Sequence, residues 1–152
     1  MENQLITFET AKLAKEKGFD EECTTYYSPL KKWQLESNYW KQYIVNEEGF
    51  APKICNNSFP CIYGKEKKYH NSKWVNKNIT APTQSLLQKW LREVHMIRVY
   101  LIHGTSGSFN FEIYIWDKPN NIGKWSRIGN ISSLKTYEEA LEKGLFQALK
   151  LI

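Results

Sequence analysis

The segment TYEEALEKGLFQALKLI, residues 136–152, constrains the fold more than any other stretch of the chain. Thr136 and Glu139 stand at the T-x-x-E spacing of a capping box, in which the threonine hydroxyl accepts from an N–H of the first turn and the glutamate reaches back. Glu138 beside them suits the positive pole of a helix. Tyr137, Leu141, Leu145, Ala148 and Ile152 then recur at helical spacing, and Ala140 and Leu149 widen the stripe. A helix this apolar along one side gains most of its stability from covering that side. The segment therefore predicts a docked helix and a surface for it to dock on.

That surface is predicted just upstream. Ile97, Val99 and Leu101 alternate with Arg98, Tyr100 and Ile102; Phe109, Phe111, Ile113 and Ile115 alternate with Asn110, Glu112, Tyr114 and Trp116. Gly104-Thr105-Ser106-Gly107 between the runs has the composition of a hairpin loop. A second turn at Asp117-Lys118-Pro119-Asn120-Asn121 leads to a third strand near Lys124–Ile131. Before the hairpin, Thr83 is placed to cap a helix with Leu86, Leu87, Trp90, Leu91 and Val94 on one stripe and Lys89, Arg92 and Glu93 opposite. Pro82 discourages an earlier start. His95 closes this helix, where a cationic ring complements the negative pole.

The N-terminal part is legible only at its start. Thr7 caps a short helix, Ile6 and Ala11 sit at the staple positions, Phe8, Ala11 and Ala14 form the apolar side, and Gly18 ends it with Phe19 folding back. Residues 23–80 have no sustained period. CTTYY and YWKQYIV are strand-like in composition, while Pro29, Gly49, Pro52, Asn56, Asn57, Pro60 and Gly64 read as turn or loop residues. The expectation is one α+β domain over residues 1–152. Its antiparallel sheet is built from a C-terminal three-stranded meander plus short N-terminal strands, with about three helices packed on it and an irregular, loop-rich segment at about 23–80.

Composition narrows the function classes. No apolar run approaches the roughly 20 residues of a membrane span, and MENQLITFETAK has no basic stretch followed by an apolar one. Cys23, Cys55 and Cys61 are too few and odd in number for a disulfide framework. A cytoplasmic protein without a membrane partner is expected. Metal binding at Cys55, Cys61 and His70, with Cys23 as a distant fourth ligand, is disfavoured because zinc pairs are spaced C-x2–4-C. No metal and no cofactor is expected.

Two surfaces are candidates for function. The net charge is +5, and residues 53–79 carry six lysines (Lys53, Lys65, Lys67, Lys68, Lys73, Lys77) against Glu66 alone. Within that stretch Tyr63, Lys65, Lys67, Lys68, Tyr69, His70, Lys73, Trp74 and Lys77 form a candidate ligand site. Lysines draw phosphate and rings stack on bases, so nucleic acid or a nucleotide is the expected partner; the same residues equally describe a solvated lysine-rich loop anchored by its rings. The second surface is Tyr100, Tyr114 and Trp116 on the outward side of the meander. That side is unusually aromatic for a wet face, so it is either covered by another layer or binds, as a homo-oligomer contact or against a host protein.

Catalysis has no motif to rest on. His95 and His103 have plain structural placements, Glu112 is a general-base candidate only as an isolated carboxylate, and no nucleophile elbow or phosphate-cradling glycine loop is present. The leading expectation is a non-catalytic binding protein. The alternatives are a small enzyme with a His/Glu site outside any motif, or a protein–protein interaction module.

The blocks APTQSLLQKWLREVHMIRVYL (81–101) and TYEEALEKGLFQALKLI (136–152), with the turn Glu16-Lys17-Gly18-Phe19-Asp20, resemble a group of small uncharacterised proteins encoded by phages and prophages of gut bacteria. The resemblance implies a phage-type accessory protein acting in the bacterial host cell, with host modulation or counter-defence as its context. It carries over no site residue.

Overall fold

In the computed structural model, which describes residues 4–29, 50–54, 71, 78–104, 107–117 and 124–152, the elements run α1 (Phe8–Glu16), β1 (Thr25–Pro29), β2 (Phe50–Ile54), β3 (Ile79–Thr80), α2 (Gln84–Val94), β4 (Ile97–His103), β5 (Phe109–Asp117), β6 (Lys124–Leu134) and α3 (Tyr137–Leu149). The strands form two antiparallel three-stranded sheets, ordered β2-β1-β3 and β4-β5-β6. The class is α+β. The chain divides into two compact units, one formed by Ile6–Pro82 and the other by Met1–Leu5 with Thr83–Ile152. No helix among the described residues is long and apolar enough to cross a membrane.

Local chemistry sets the helix ends in both units. The side chains of Thr7, Thr83 and Thr136 each accept from an N–H three residues on, at Thr10, Leu86 and Glu139, which satisfies a donor that the helix itself cannot pair. At the other end of α1, Gly18 takes φ +87° and lets Phe19 N–H return to Ala14 O at 2.9 Å. Phe19 is then buried to 1% exposure, so the glycine converts a helix stop into a core contact.

In the unit Ile6–Pro82, α1 packs on β3 and Phe8 meets the Tyr27 ring edge-on, with centroids 5.4 Å apart. The Tyr27 hydroxyl donates to Ile6 O at 2.7 Å. Asn71 ties two elements together: its Nδ2 donates to Phe19 O at 2.7 Å, and its Oδ1 accepts from Thr80 N–H at 3.0 Å. Pro52, expected in a turn, lies inside β2 opposite Tyr27. β2 is the outer strand in the order β2-β1-β3, and an outer strand tolerates a residue with no N–H to give. The second strand-like stretch, YWKQYIV, lies outside the described residues.

In the other unit, α2 and α3 pack against each other and against β4, and α3 also covers β5. Ile97, Val99, Phe111 and Ile113 face this layer, and Leu87, Leu91, Leu145, Ala148 and Leu149 fill it; all are buried. Two expectations about the stripes are corrected. Val94, the last residue of α2, and Tyr137, the first of α3, are exposed, at 57% and 47%, although the Tyr137 ring still meets Phe109 of β5 edge-on at 6.2 Å. The centre of the α3 stripe includes Gly144, which is buried: a Cβ there would lie 2.6 Å from Val99 Cγ1 and 3.2 Å from Phe111 Cγ. The third strand runs on to Leu134 with register shifts, one between Ile113 and Tyr114. Gln88, on the flank of α2, donates from Nε2 to Val99 O at 2.8 Å. Met96 O accepts from Trp116 N–H of β5, so carbonyls of the alternate residues, Val99 among them, point away from β5.

Candidate functional site

Antiparallel pairing places directly opposed residues on one side of a sheet. Tyr100 opposes Glu112, Arg98 opposes Tyr114, and Tyr114 in turn opposes Arg127 on β6. These side chains therefore share the side of the β4-β5-β6 sheet that α2 and α3 do not cover. Arg98, Tyr100, Ile102 and Arg127 are exposed and Glu112 and Tyr114 half-buried. Arg98, Tyr100, Leu101, Ile102, Glu112 and Tyr114 line an open cleft of about 520 Å³.

The rings in the cleft are held at right angles. Tyr100 and Tyr114, diagonal neighbours across β4 and β5, lie 5.5 Å apart between centroids with an interplanar angle of 83°. The Tyr114 hydroxyl donates to Glu112 Oε2 at 2.7 Å, and Arg127 Nη1 donates to Glu112 Oε1 at 2.7 Å. Each carboxylate oxygen is thus engaged. Being hydrogen-bonded to Glu112 raises the Tyr114 phenol above its usual range, so it stays protonated and its donor stays aimed at the carboxylate. Arg98 Nη1 donates to the Tyr100 hydroxyl at 3.2 Å. Within the lining Arg98 and Glu112 balance in formal charge, and Arg127 stands beside the cleft, paired with Glu112.

Of the predicted outward trio, Tyr100 and Tyr114 come together. Trp116 lies on the same side of β5, one pleat further on and half-buried, outside the residues lining the cleft. Arg98, Ile102 and Arg127 stand exposed beside the two tyrosines. The period-2 pattern already puts Arg98 and Ile102 beside Tyr100, but Arg127 depends on a bulged register that the sequence does not display. The basic candidate set, Tyr63, Lys65, Lys67, Lys68, Tyr69, His70, Lys73, Trp74 and Lys77, lies outside the described residues, as do Cys55 and Cys61.

The remaining candidates fall apart from one another. His103 is an odd number of residues along β4 from Tyr100, the partner of Glu112, so it projects from the opposite side of the sheet, where its ring meets Phe109 at 4.5 Å. His95 packs edge-on to Trp90 at 4.4 Å, its Nε2 buried with no hydrogen-bond partner among the described residues. Burial lowers its pKa, opposite in sense to the effect of the helix pole at that end. Cys23 is buried, and burial pushes its thiol up to about 12, away from the range in which thiols ligate metals or attack. Among the described residues no three His, Cys, Asp or Glu side chains are grouped to hold a metal ion.

Comparison of the chain with protein-family models, with curated proteins and with solved structures returns no match.

Proposed function

We propose that the chain is a non-catalytic binding protein whose ligand carries an aromatic base and phosphate, a nucleic acid or a nucleotide, received on the open side of the β4-β5-β6 sheet. One observation carries the reading: two tyrosine rings at right angles stand beside exposed Arg98, in a cleft whose lining acid, Glu112, is engaged through both oxygens. Rings in such a place offer stacking of roughly 1–3 kcal/mol per base, and the ion pair with Arg127 offsets part of the repulsion of phosphate by Glu112. The net charge of +5 adds long-range attraction for an anion. The resemblance to phage-encoded proteins supplies the setting, an accessory protein that modulates its host or counters host defence.

The test is binding of nucleotides and short nucleic acids over a salt series. Affinity is expected to fall as salt rises; no binding at low salt would overturn the reading. A second reading, a protein-contact module, is favoured by exposed Met96, Tyr100 and Ile102, at 48%, 46% and 40%. Sedimentation as a monomer at high concentration would remove its self-associating form.

A further inference from the structure

We infer that Glu112 is a positioning residue for the tyrosine pair: it fixes the Tyr114 ring against Tyr100 for a ligand received on this face, and the inference rests on the reading just proposed. Glu112 and Tyr114 are two residues apart on β5, so their side chains stand on one side of the sheet. A tyrosine on a strand has two common χ1 settings open to it. The 2.7 Å bond from the Tyr114 hydroxyl to Glu112 Oε2 selects the orientation in which the hydroxyl reaches the carboxylate. In that orientation the ring stands at 83° to Tyr100, with centroids 5.5 Å apart. The carboxylate is itself held, because Arg127 Nη1 donates to its other oxygen at 2.7 Å from the paired strand β6.

Charge alone gives this carboxylate no place on a face that receives an anion. Glu112 repels phosphate, and the ion pair with Arg127 offsets only part of that repulsion. Its side chain is 12% exposed, and a carboxylate so far withdrawn from water is costly unless hydrogen bonds hold it. The bonds that hold it run to a ring of the cleft and to the cation beside the cleft. Charge and positioning therefore predict opposite outcomes for one substitution. Glu112→Ala removes a negative charge, which by electrostatics alone strengthens the attraction of an anion. The same change unties the Tyr114 hydroxyl, and binding is weakened because the ring then has to be ordered when the ligand arrives.

The experiment is fluorescence anisotropy at low salt with labelled oligo-dT and labelled ATP. It compares the full chain with its Glu112→Ala, Glu112→Gln and Tyr114→Phe variants and with the double variant Glu112→Ala/Tyr114→Phe, after thermal melting has confirmed folding. Glu112→Ala is expected to weaken binding by roughly fivefold, the lower end of what one stacked base supplies. Glu112→Gln keeps an acceptor for the hydroxyl and loses the charge, so it is expected to bind at least as tightly as the parent. Tyr114→Phe keeps the ring and loses the tie, so it is expected to weaken binding as Glu112→Ala does, and to cost nothing further once Glu112 is already alanine. Without any ligand, the nuclear Overhauser contact between the Tyr100 and Tyr114 rings is expected in the parent and in Glu112→Gln and is expected to fade in Glu112→Ala. Equal or tighter binding by Glu112→Ala overturns the inference and leaves the broader reading standing. So does a ring contact that Glu112→Ala does not change, or a loss of affinity in Glu112→Gln as large as that in Glu112→Ala. Should Glu112→Ala fail to fold, Tyr114→Phe decides, and an affinity equal to the parent's overturns the inference. No binding of either probe by the parent overturns both the inference and the reading it rests on.

Discussion

Gly144 shows how much one missing atom decides. In an exposed helix, alanine in place of glycine is favourable by about 1 kcal/mol, yet here the added carbon would press on Val99 and on the Phe111 ring. Overpacking of that kind costs about 1–3 kcal/mol. Gly144→Ala is therefore expected to lower stability in urea denaturation by about 1 kcal/mol, and a stabilised variant would contradict the contact. Cys23 makes a prediction in pH. Its thiol rises from the ordinary 9.0 to about 12 in the folded chain, so the unfolded chain loses this proton first as pH rises. The contribution is fully present below about pH 9 and is lost towards 12. Cys23→Ala should remove that part of the decline in stability over the interval; an unchanged slope would show that the thiol is not protected. Neither residue was legible in advance. Gly144 carries no local signal, because the side chains it must admit, Val99 and Phe111, sit on strands far away in sequence. Cys23 reads as one of three ordinary thiols.

Elements were legible where their signals are local. The caps at Thr7, Thr83 and Thr136 involve side chains and N–H groups three residues apart, and the strands Ile97–His103 and Phe109–Asp117 are long enough to display alternation. β3 has two residues and β2 has five with a proline inside, too short to show a period. β3 is held by its pairing with β1 and by Asn71, which links Thr80 to Phe19 through two hydrogen bonds that span 9 and 52 positions. Asn71→Ala would leave a buried carbonyl and a buried N–H without this partner, at about 1–3 kcal/mol for each group left unmade. A loss of at least about 2 kcal/mol in chemical denaturation is expected; a variant within about 0.5 kcal/mol of the parent, the scatter of neutral surface changes, would show that α1 and β3 are held by other contacts.

At the scale of the molecule, the C-terminal segment is the part whose loss is felt everywhere in its unit. Leu145, Ala148 and Leu149 are each fully buried, and α3 covers both β4 and β5. Deleting residues 145–152 should abolish the cooperative thermal transition of that unit, and a truncated chain that still melts sharply near the parent would contradict it. The candidate site was legible in part for a related reason. Alternation places Tyr100 and Tyr114 on the side away from the helices, but the partnership of Glu112 with Arg127 arises from pairing across a bulge, which no single strand encodes. The bond from Gln88 to Val99 O has a consequence beyond the single molecule. β4 is the outer strand of its sheet, and an outer strand with free carbonyls is a template on which foreign strands can grow into fibrils. One glutamine amide from α2 occupies an acceptor near the middle of that edge, which removes one carbonyl from those a foreign strand would need to pair with.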